Sequence, residues 1–452
     1  MSRSVRALSA ACGLGLGLIA IPGSAGAGNA TPDDPVFEQG LQWGLDRIGA
    51  PGAWTRATGE GITIAVIDSG VDLAHEDLAD KVVAQVSCIG TDGDAGRCQG
   101  SAQDDNGHGT HVAGIAAAST GNGRGIAGVA PDADLMAVRV LANTCDASGC
   151  SATGSADDVA AGIRWASDHG ADVINLSLGG GALQGALGCA FCDAVEYAWS
   201  QGAIAVIAAG NDSLLPAGFG DEHAVIVTAT TRDDQRASYS NPSSGVLRAA
   251  RWPIAAPGGE GETAASDCAT GGTPKGVLSA YWVDGHTNEY ACLAGTSMAS
   301  PHVAGALAVL LSLGRSPQEA VDRLLATAQD LGAPGRDEQF GVGRVDLARA
   351  VGSGPGSTTS TTAGPPGTTS PSVTSTTVAP PSTAPSETTT APPVSIPEPA
   401  QAAPFTPATP PGRSPDDPPG WLVAIAAAAV LAAGTGTAMT VWREAERRSR
   451  AA

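Results

Sequence analysis

The feature that most restricts the fold is a series of short apolar runs separated by longer stretches. The runs are continuous, rich in β-branched residues and too short for helices, as expected for strands buried on both faces of a parallel sheet. We predict strands at Ile62–Ile67, Leu135–Val140, Val173–Leu178, Ala203–Ala209 and Val225–Ala229. This pattern predicts an α/β fold: a doubly wound, mainly parallel sheet with helices on both faces.

Two of the intervening stretches carry signals for the start and the end of a helix. Asp157–Asp168 and Asp193–Ser200 have helical spacing and begin with an acidic residue, and Gly170 and Gly202 follow as stops. In a sheet of this type, ligands bind beyond the carboxyl ends of the strands. Residues that directly follow the apolar runs are therefore the first candidates for a functional site.

Three motifs contain candidates, one at the end of the first apolar run and two at the predicted starts of helices. Asp68 opens Asp-Ser-Gly-Val-Asp directly after the first run, His108 lies in Asn-Gly-His-Gly-Thr-His, and Ser297 lies in Gly-Thr-Ser-Met-Ala-Ser-Pro-His. Each residue alone fits a structural role, such as a helix cap for Asp68 or Ser297. Together they provide a nucleophile, a base and a group that orients the base.

In this order and with these flanking residues, the motifs resemble those of the subtilisin-like serine peptidases, or subtilases. The resemblance extends over about residues 39–351. It implies a serine endopeptidase in which Ser297 is the nucleophile, His108 is the general base and Asp68 orients the imidazole. Asn211 resembles the amide that, with the Ser297 backbone N–H, stabilises the oxyanion. His111 and His302 lie in the same motifs and are predicted to be structural.

The resemblance also implies where a peptide or protein substrate binds. The peptide would lie as an added strand between two segments of the chain, with backbone hydrogen bonds providing affinity. The predicted substrate-binding residues are Ser177, Leu178 and Gly179 on one side, Ala152, Thr153 and Gly154 on the other, and Gly210 beside the oxyanion site.

No cofactor is required for this chemistry, but the resemblance implies a structural calcium ion. The predicted ligands are Gln39 before the domain, Asp77 after the catalytic aspartate and Asn122 in a glycine-rich loop. Calcium accepts amide and carboxylate oxygens together, so one carboxylate is chemically sufficient. The alternative is a plain turn in which Asp77 is a surface charge.

Both ends of the chain indicate export and anchoring. Residues 1–27 have the basic start, apolar run and small-residue cleavage site of a signal peptide. Residues 352–420 form a linker rich in Pro, Thr and Ser that cannot bury a core. Residues 421–442 are uncharged and long enough to span a bilayer, and residues 443–452 form a basic tail that marks the cytoplasmic side. We expect a single-pass type I protein of the cell membrane, with an extracellular catalytic domain at residues 28–351.

Eight cysteines follow the signal peptide, an even number that favours disulfides in an exported protein. Proximity in sequence suggests the pairs Cys88–Cys98, Cys145–Cys150, Cys189–Cys192 and Cys268–Cys292, among the 105 connectivities that eight cysteines allow.

Two alternatives to a general exported protease stay open. The net charge of −21 argues against a nucleic-acid partner. The short extension of residues 28–36, the stalk and the anchor resemble the mycosins, which are membrane-anchored subtilases of type VII secretion, and this predicts a partner in a secretion complex. The second alternative is a catalytically silent surface scaffold, although the motifs contain every triad residue.

Overall fold

In the computed structural model, the described residues are 32–146, 149–178, 190–213, 220–243, 249–260 and 274–352. The predicted signal peptide, anchor and tail, and the linker beyond residue 352, lie outside this set and stay predictions. Within the described residues, no helix combines the length and apolar composition needed to cross a membrane.

A parallel sheet forms the centre of the domain. The strands in chain order are β1 (Thr63–Asp68), β2 (Val82–Ser87), β3 (Asp134–Arg139), β4 (Ala142–Asp146), β5 (Gly149–Thr153), β6 (Val173–Leu176), β7 (Ile204–Ala208), β8 (Ala224–Thr230), β9 (Trp252–Pro257), β10 (Val277–Tyr281) and β11 (Glu289–Leu293). Seven of them form the sheet in the order β2-β3-β1-β6-β7-β8-β9, and every pair in it is parallel. The remaining four form two antiparallel hairpins, β4-β5 and β10-β11. The five predicted strands are confirmed as β1, β3, β6, β7 and β8.

Helices cover both faces of the sheet. In chain order they are α1 (Pro35–Glu38), α2 (Trp43–Ile48), α3 (Ala50–Trp54), α4 (His108–Ala117), α5 (Ala156–Asp168), α6 (Cys192–Ser200), α7 (Thr296–Leu311), α8 (Pro317–Ala326) and α9 (Leu347–Val351). Side chains of β1 alternate between two cores: Ile64 and Val66 pack in the core that includes α4 and α7, whereas Ala65 and Ile67 pack in the core that includes α5 and α6. The predicted doubly wound arrangement is therefore confirmed.

The strand order places the functional motifs at one edge. In the sheet, β2 and β3 lie on one side of β1, and β6 to β9 lie on its other side. The direction in which strands are added therefore changes between β1 and β6. In sheets of this type a crevice forms at that point, outside the carboxyl ends of the two strands. Asp68 ends β1 and Ser177 directly follows β6.

Two predicted disulfides are confirmed, Cys88–Cys98 and Cys145–Cys150. Cys192 and Cys292 are also disulfide-bonded, and their predicted partners lie outside the described residues.

Candidate active site

Asp68 lies at the carboxyl end of β1 and is completely buried. Its Oδ1 accepts a hydrogen bond from the backbone N–H of Ser69 at 2.7 Å and lies 2.7 Å from His108 Nδ1. Because a carboxylate only accepts, this contact fixes the proton of the imidazole on Nδ1 and leaves Nε2 as the acceptor.

His108 is the first residue of α4, and its ring is 26% exposed. The start of α4 packs closely against residues 68–70, at the carboxyl end of β1. A Cβ on Gly109 would lie only 2.1 Å from the carbonyl oxygen of Gly70, so this position requires glycine. Burial disfavours the imidazolium, but the charge of Asp68, its hydrogen bond and the charge of Asp104 outweigh burial and raise the pKa of His108. The site is therefore built to stabilise a protonated histidine.

Asp104 joins the segment after Asp68 to α4, a role that the sequence motifs did not reveal. Its Oδ1 accepts from Ser69 Oγ at 2.9 Å, and its Oδ2 accepts from the backbone N–H of Thr110 at 3.0 Å. The Ser69 hydroxyl in turn accepts from the backbone N–H of Gly109 at 3.0 Å. The two elements that carry Asp68 and the imidazole are thus held by the same buried carboxylate.

Ser297 lies in the first turn of α7 and is the one residue of that helix that is not buried. Its Oγ donates to the carbonyl of Ser177 at 3.2 Å, and Ser177 Oγ donates to the carbonyl of Ser297 at 2.7 Å. That carbonyl is available because its helical partner would be the N–H of residue 301, and Pro301 has none. Among the described residues, no hydrogen bond joins Ser297 Oγ to His108.

Asn211 follows β7 and contacts Thr296, the residue before Ser297. Its Oδ1 accepts from both the backbone N–H and the Oγ1 of Thr296, each at 2.9 Å. This assignment leaves the amide Nδ2 as a free donor next to the start of α7. The preceding Gly210 has a φ of 98°, in the left-handed region that favours glycine, and its N–H donates to Thr296 Oγ1 at 3.1 Å.

A second residue that sequence analysis missed, Asn241, holds this loop. Its Nδ2 donates to the carbonyl of Ala209 at 3.1 Å, and its Oδ1 accepts from the backbone N–H of Asp212 at 2.9 Å. Its own backbone N–H donates to Gly210 O at 2.9 Å. The contacts are 29 to 32 residues away along the chain, so no local motif identifies them.

A cleft of about 540 Å³ joins these elements. Its lining includes His108 and Ser297, together with the predicted substrate-binding residues Ser177, Leu178, Ala152, Thr153 and Gly154. Gly210 lies beside Thr296, and Gly179 lies outside the described residues. The two predicted peptide-binding segments therefore line the same cleft as Ser297 and His108.

The two remaining motif histidines are buried behind the cleft. His111 Nε2 lies 3.1 Å from Val277 O and 3.0 Å from Ala291 O, and His302 Nδ1 lies 2.8 Å from Met298 O. Burial lowers the pKa of His111 to about 3 and that of His302 to about 4. Both are therefore neutral at physiological pH. His111 links α4 to β10 and β11, whereas the hydrogen bond of His302 stays within α7.

The predicted calcium ligands are only partly brought together. Asp77 is buried, and its Oδ1 accepts from Asn122 Nδ2 at 3.1 Å. Gln39 instead lies exposed at the end of α1, and the buried carboxylate of Asp34 contacts the loop, accepting from Gly121 N at 2.9 Å. Within the described residues, no group of three or more His, Cys, Asp or Glu side chains is arranged to hold a metal.

Burial, opposed by hydrogen bonds from the loop and reinforced by the charge of Asp77, raises the pKa of Asp34. Two buried carboxylates near each other are costly unless a cation or a proton compensates them. Asp34, Asp77 and Asn122 contain oxygens of the kind that calcium binds. In this structure the two carboxylates instead accept hydrogen bonds from Gly121 N and Asn122 Nδ2, and the Asn122 oxygen accepts from Arg124 N. The predicted ligands are therefore linked by hydrogen bonds rather than arranged around one position, and Asp34, not Gln39, is the residue of the N-terminal segment that contacts the loop.

Comparison with known proteins agrees with this geometry. The profile of the Subtilase family matches residues 59–343. The chain is 39% identical over 325 residues to thermitase of Thermoactinomyces vulgaris, covering 71% of this chain and 99% of thermitase. It is 38% identical over 279 residues to subtilisin Savinase of Lederbergia lenta, covering 60% of this chain and 84% of Savinase. The solved structure of a protease from Pseudoalteromonas arctica PAMC 21717 matches with a TM-score of 0.56 and 32% identity, covering 71% of this chain and 99% of that one.

The profile spans the elements from before β1 to beyond α8, so it includes all three motifs and the cleft between them. The match to thermitase covers nearly that whole protein. The chain therefore belongs to the subtilase family and is a serine-type endopeptidase.

Proposed function

We propose that the protein hydrolyses peptide bonds through an acyl-enzyme formed on Ser297, with His108 as general base and Asp68 as its orienting acid. The observation that carries the proposal is the 2.7 Å contact between His108 Nδ1 and Asp68 Oδ1, in a cleft that Ser297 also lines. The raised pKa of His108 supports it, because the base must become positively charged when it accepts the serine proton.

The reaction begins when the Ser297 hydroxyl turns from the Ser177 carbonyl toward His108 Nε2. Such reorientation is common, since catalytic hydrogen bonds are often formed only after substrate binds. Ser297 Oγ then attacks the peptide carbonyl carbon while Nε2 takes its proton. His108 returns that proton to the leaving amine, and a water molecule hydrolyses the acyl-enzyme by the same route in reverse.

The negative oxygen of the tetrahedral intermediate would be bound by Asn211 Nδ2 and by the backbone N–H of Ser297. The hydrogen bonds from Thr296 to Asn211 Oδ1 support this role, because they determine which end of the amide is free to donate. The backbone N–H groups in the first turn of α7 have no partner within the helix and carry partial positive charge. Every step uses only residues of the chain, so no cofactor is needed.

The substrate would be an extended peptide or protein segment that lies between Ser177–Gly179 and Ala152–Gly154. Both segments contribute to the cleft, and β5 has one edge that no strand of the described residues occupies. An added strand gains backbone hydrogen bonds that do not depend on its sequence.

The triad is tested with Ser297→Ala, His108→Ala and Asp68→Asn, each assayed on a chromogenic peptide and with a fluorophosphonate probe. We expect peptide hydrolysis to fall at least about a thousandfold in each variant and probe labelling to disappear in Ser297→Ala. Ser312→Ala, at the other end of α7, is the matched control and should retain both activities. Wild-type protein that is folded but neither labelled nor active would instead support a silent scaffold.

Calcium would stabilise the domain rather than take part in catalysis. Asp34, Asp77 and the Asn122 amide would hold it, joining the N-terminal segment to the loop after α4. An ion that binds only the folded state raises the free energy of unfolding without changing the chemistry.

For location, we propose export by residues 1–27 and anchoring by residues 421–442, with the catalytic domain outside. The support is the pattern of charge and apolarity in the sequence. Protease added to intact cells should release an active soluble fragment by cutting the linker, whereas full-length protein in the medium alone would refute the anchor.

A mycosin-type role, with a partner in a type VII secretion complex, is supported only by the short extension of residues 28–36, the linker and the predicted anchor. It predicts that detergent-solubilised protein copurifies with secretion components. Purification without them would favour the general exported protease.

A further inference from the structure

The β4-β5 hairpin forms one rim of the cleft and is closed by a disulfide. Cys145 and Cys150 are paired across the two strands and bonded to each other. Both residues are exposed, and Cys150 and the adjoining Ser151–Gly154 line the cleft. The covalent bond therefore lies directly next to the predicted peptide-binding segment.

The base of the hairpin is tied to the loop before the catalytic histidine. Asn143 Oδ1 accepts from Asn106 Nδ2 at 3.1 Å, and Asn143 Nδ2 donates to Asp105 O at 2.8 Å. Asn106 also lines the cleft, two residues before His108. The position of β5 is thus coupled at one end to the loop that carries the base.

Among the described residues, Asn143 makes the side-chain hydrogen bonds that join the hairpin to the rest of the domain. β4 and β5 pair only with each other among the strands of the described residues. Near the base, the exposed side chains of Thr144 and Thr153 join the two strands, with their Oγ1 atoms 2.9 Å apart. An isolated two-stranded hairpin is marginally stable in water. The disulfide is therefore the contact that restricts the alternative conformations of β5.

We propose that the Cys145–Cys150 disulfide is a specificity-determining element of this protease. By keeping β5 ordered before substrate binds, it favours peptides long enough to pair with Ser151–Gly154 over shorter ones. A strand that must first become ordered loses affinity for its ligand, and a rigid one does not. At about 3.3 Å per residue, the four residues of this segment match about four residues of substrate upstream of the scissile bond. The inference rests on the proposed function, since it concerns the same cleft.

The test compares Cys145→Ser/Cys150→Ser with the matched control Cys88→Ser/Cys98→Ser, which removes the other fully described disulfide, at the end of β2. Two chromogenic peptides share the residue before the scissile bond, and one extends about four residues further upstream. We expect the ratio of kcat/KM for the long peptide to that for the short one to fall about tenfold in the first variant, mainly through KM, as if one or two hydrogen bonds were lost. The control should keep the wild-type ratio.

A third variant, Cys145→Val/Cys150→Val, replaces the covalent bond with an apolar cross-strand pair. It should give a ratio between those of the serine variant and the wild type, and it is decisive if the serine variant does not fold. A wild-type ratio in every folded variant lacking this disulfide would overturn the inference. If wild-type enzyme cleaves neither peptide, the proposed function fails instead.

Discussion

The loop that carries Asn211 depends on Asn241, so removing the Asn241 side chain is a sharp test of the site. Asn241 is 3% exposed and contacts the residues on both sides of Gly210 and Asn211 through Ala209 O and Asp212 N. It lies outside the residues that line the cleft. Asn241→Ala should therefore weaken stabilisation of the oxyanion and leave peptide binding intact.

The magnitude follows from the two groups left without a partner. A buried polar group without a hydrogen bond costs about 1–3 kcal/mol. Ala209 is buried, whereas Asp212 is exposed and its N–H can bind water. Only the carbonyl of Ala209 carries the full penalty, so the free energy of unfolding should fall by about 1–3 kcal/mol.

The effect on turnover has an upper limit. Complete loss of the side-chain oxyanion donor costs about 10²–10³ in kcat, a magnitude known for subtilisins rather than obtained from this structure. A displaced donor retains part of its effect, so we expect kcat to fall about tenfold with KM unchanged.

The assay combines urea unfolding, kcat and KM on a chromogenic peptide, and inhibition by a peptide aldehyde that forms a tetrahedral adduct. Thr327→Val is the control, because Thr327 is 2% exposed and donates to Arg323 O at 2.8 Å at the end of α8, away from the cleft. It should lose stability but keep its kcat. If Asn241→Ala keeps wild-type kcat and aldehyde affinity, or raises only KM, Asn241 does not position the oxyanion donor.

Four further predictions concern the base, the oxyanion donor, calcium and Asp34. Since catalysis needs neutral His108 and its pKa is raised, kcat/KM should increase with pH through a midpoint above about 6.5, and a midpoint at or below that value would contradict the geometry. Asn211→Ala should lower kcat more than Asn241→Ala does, and a smaller loss would exclude Asn211 as the donor. Chelation should lower the free energy of unfolding, by about 2.7 kcal/mol if calcium was present at a hundredfold excess over Kd. An equal shift in Asp77→Ala would show that Asp77 does not bind calcium. Without calcium, unfolding free energy should fall as pH rises through the raised pKa of Asp34, because the folded state disfavours its ionised form.

The central strands could be predicted because each is a local apolar run buried on both faces. The two edge strands lack that signal. In β2, Val83 is 58% exposed and polar residues interrupt the run. In β9, Pro253 and Pro257 argue against a strand, and they are tolerated because β9 is at the end of the sheet. Strand position in the sheet, which local sequence does not encode, decides both cases.

The three residues proposed as the triad could be singled out because each lies within a long motif, whereas the residues that hold them in place could not. Asp104 was visible in the sequence only as one of many carboxylates, and its role depends on the approach of Ser69 and Thr110. Gln39 was chosen from its place along the chain, but α1 leaves it exposed and presents Asp34 to the loop. Such contacts depend on how distant backbones meet, which no motif specifies.

The distances along the chain between the site residues also bear on when activity can arise as the chain folds. Asp68 and His108 are 40 residues apart, but Ser177 and Ser297 are 120 apart, and Asn211 and Thr296 are 85 apart. Closing a long loop costs more entropy, and contacts between distant segments slow folding. The base and its orienting acid can therefore meet while the nucleophile is still far from both. A partly folded molecule is then without proteolytic activity, and it cannot degrade neighbouring chains that have yet to fold.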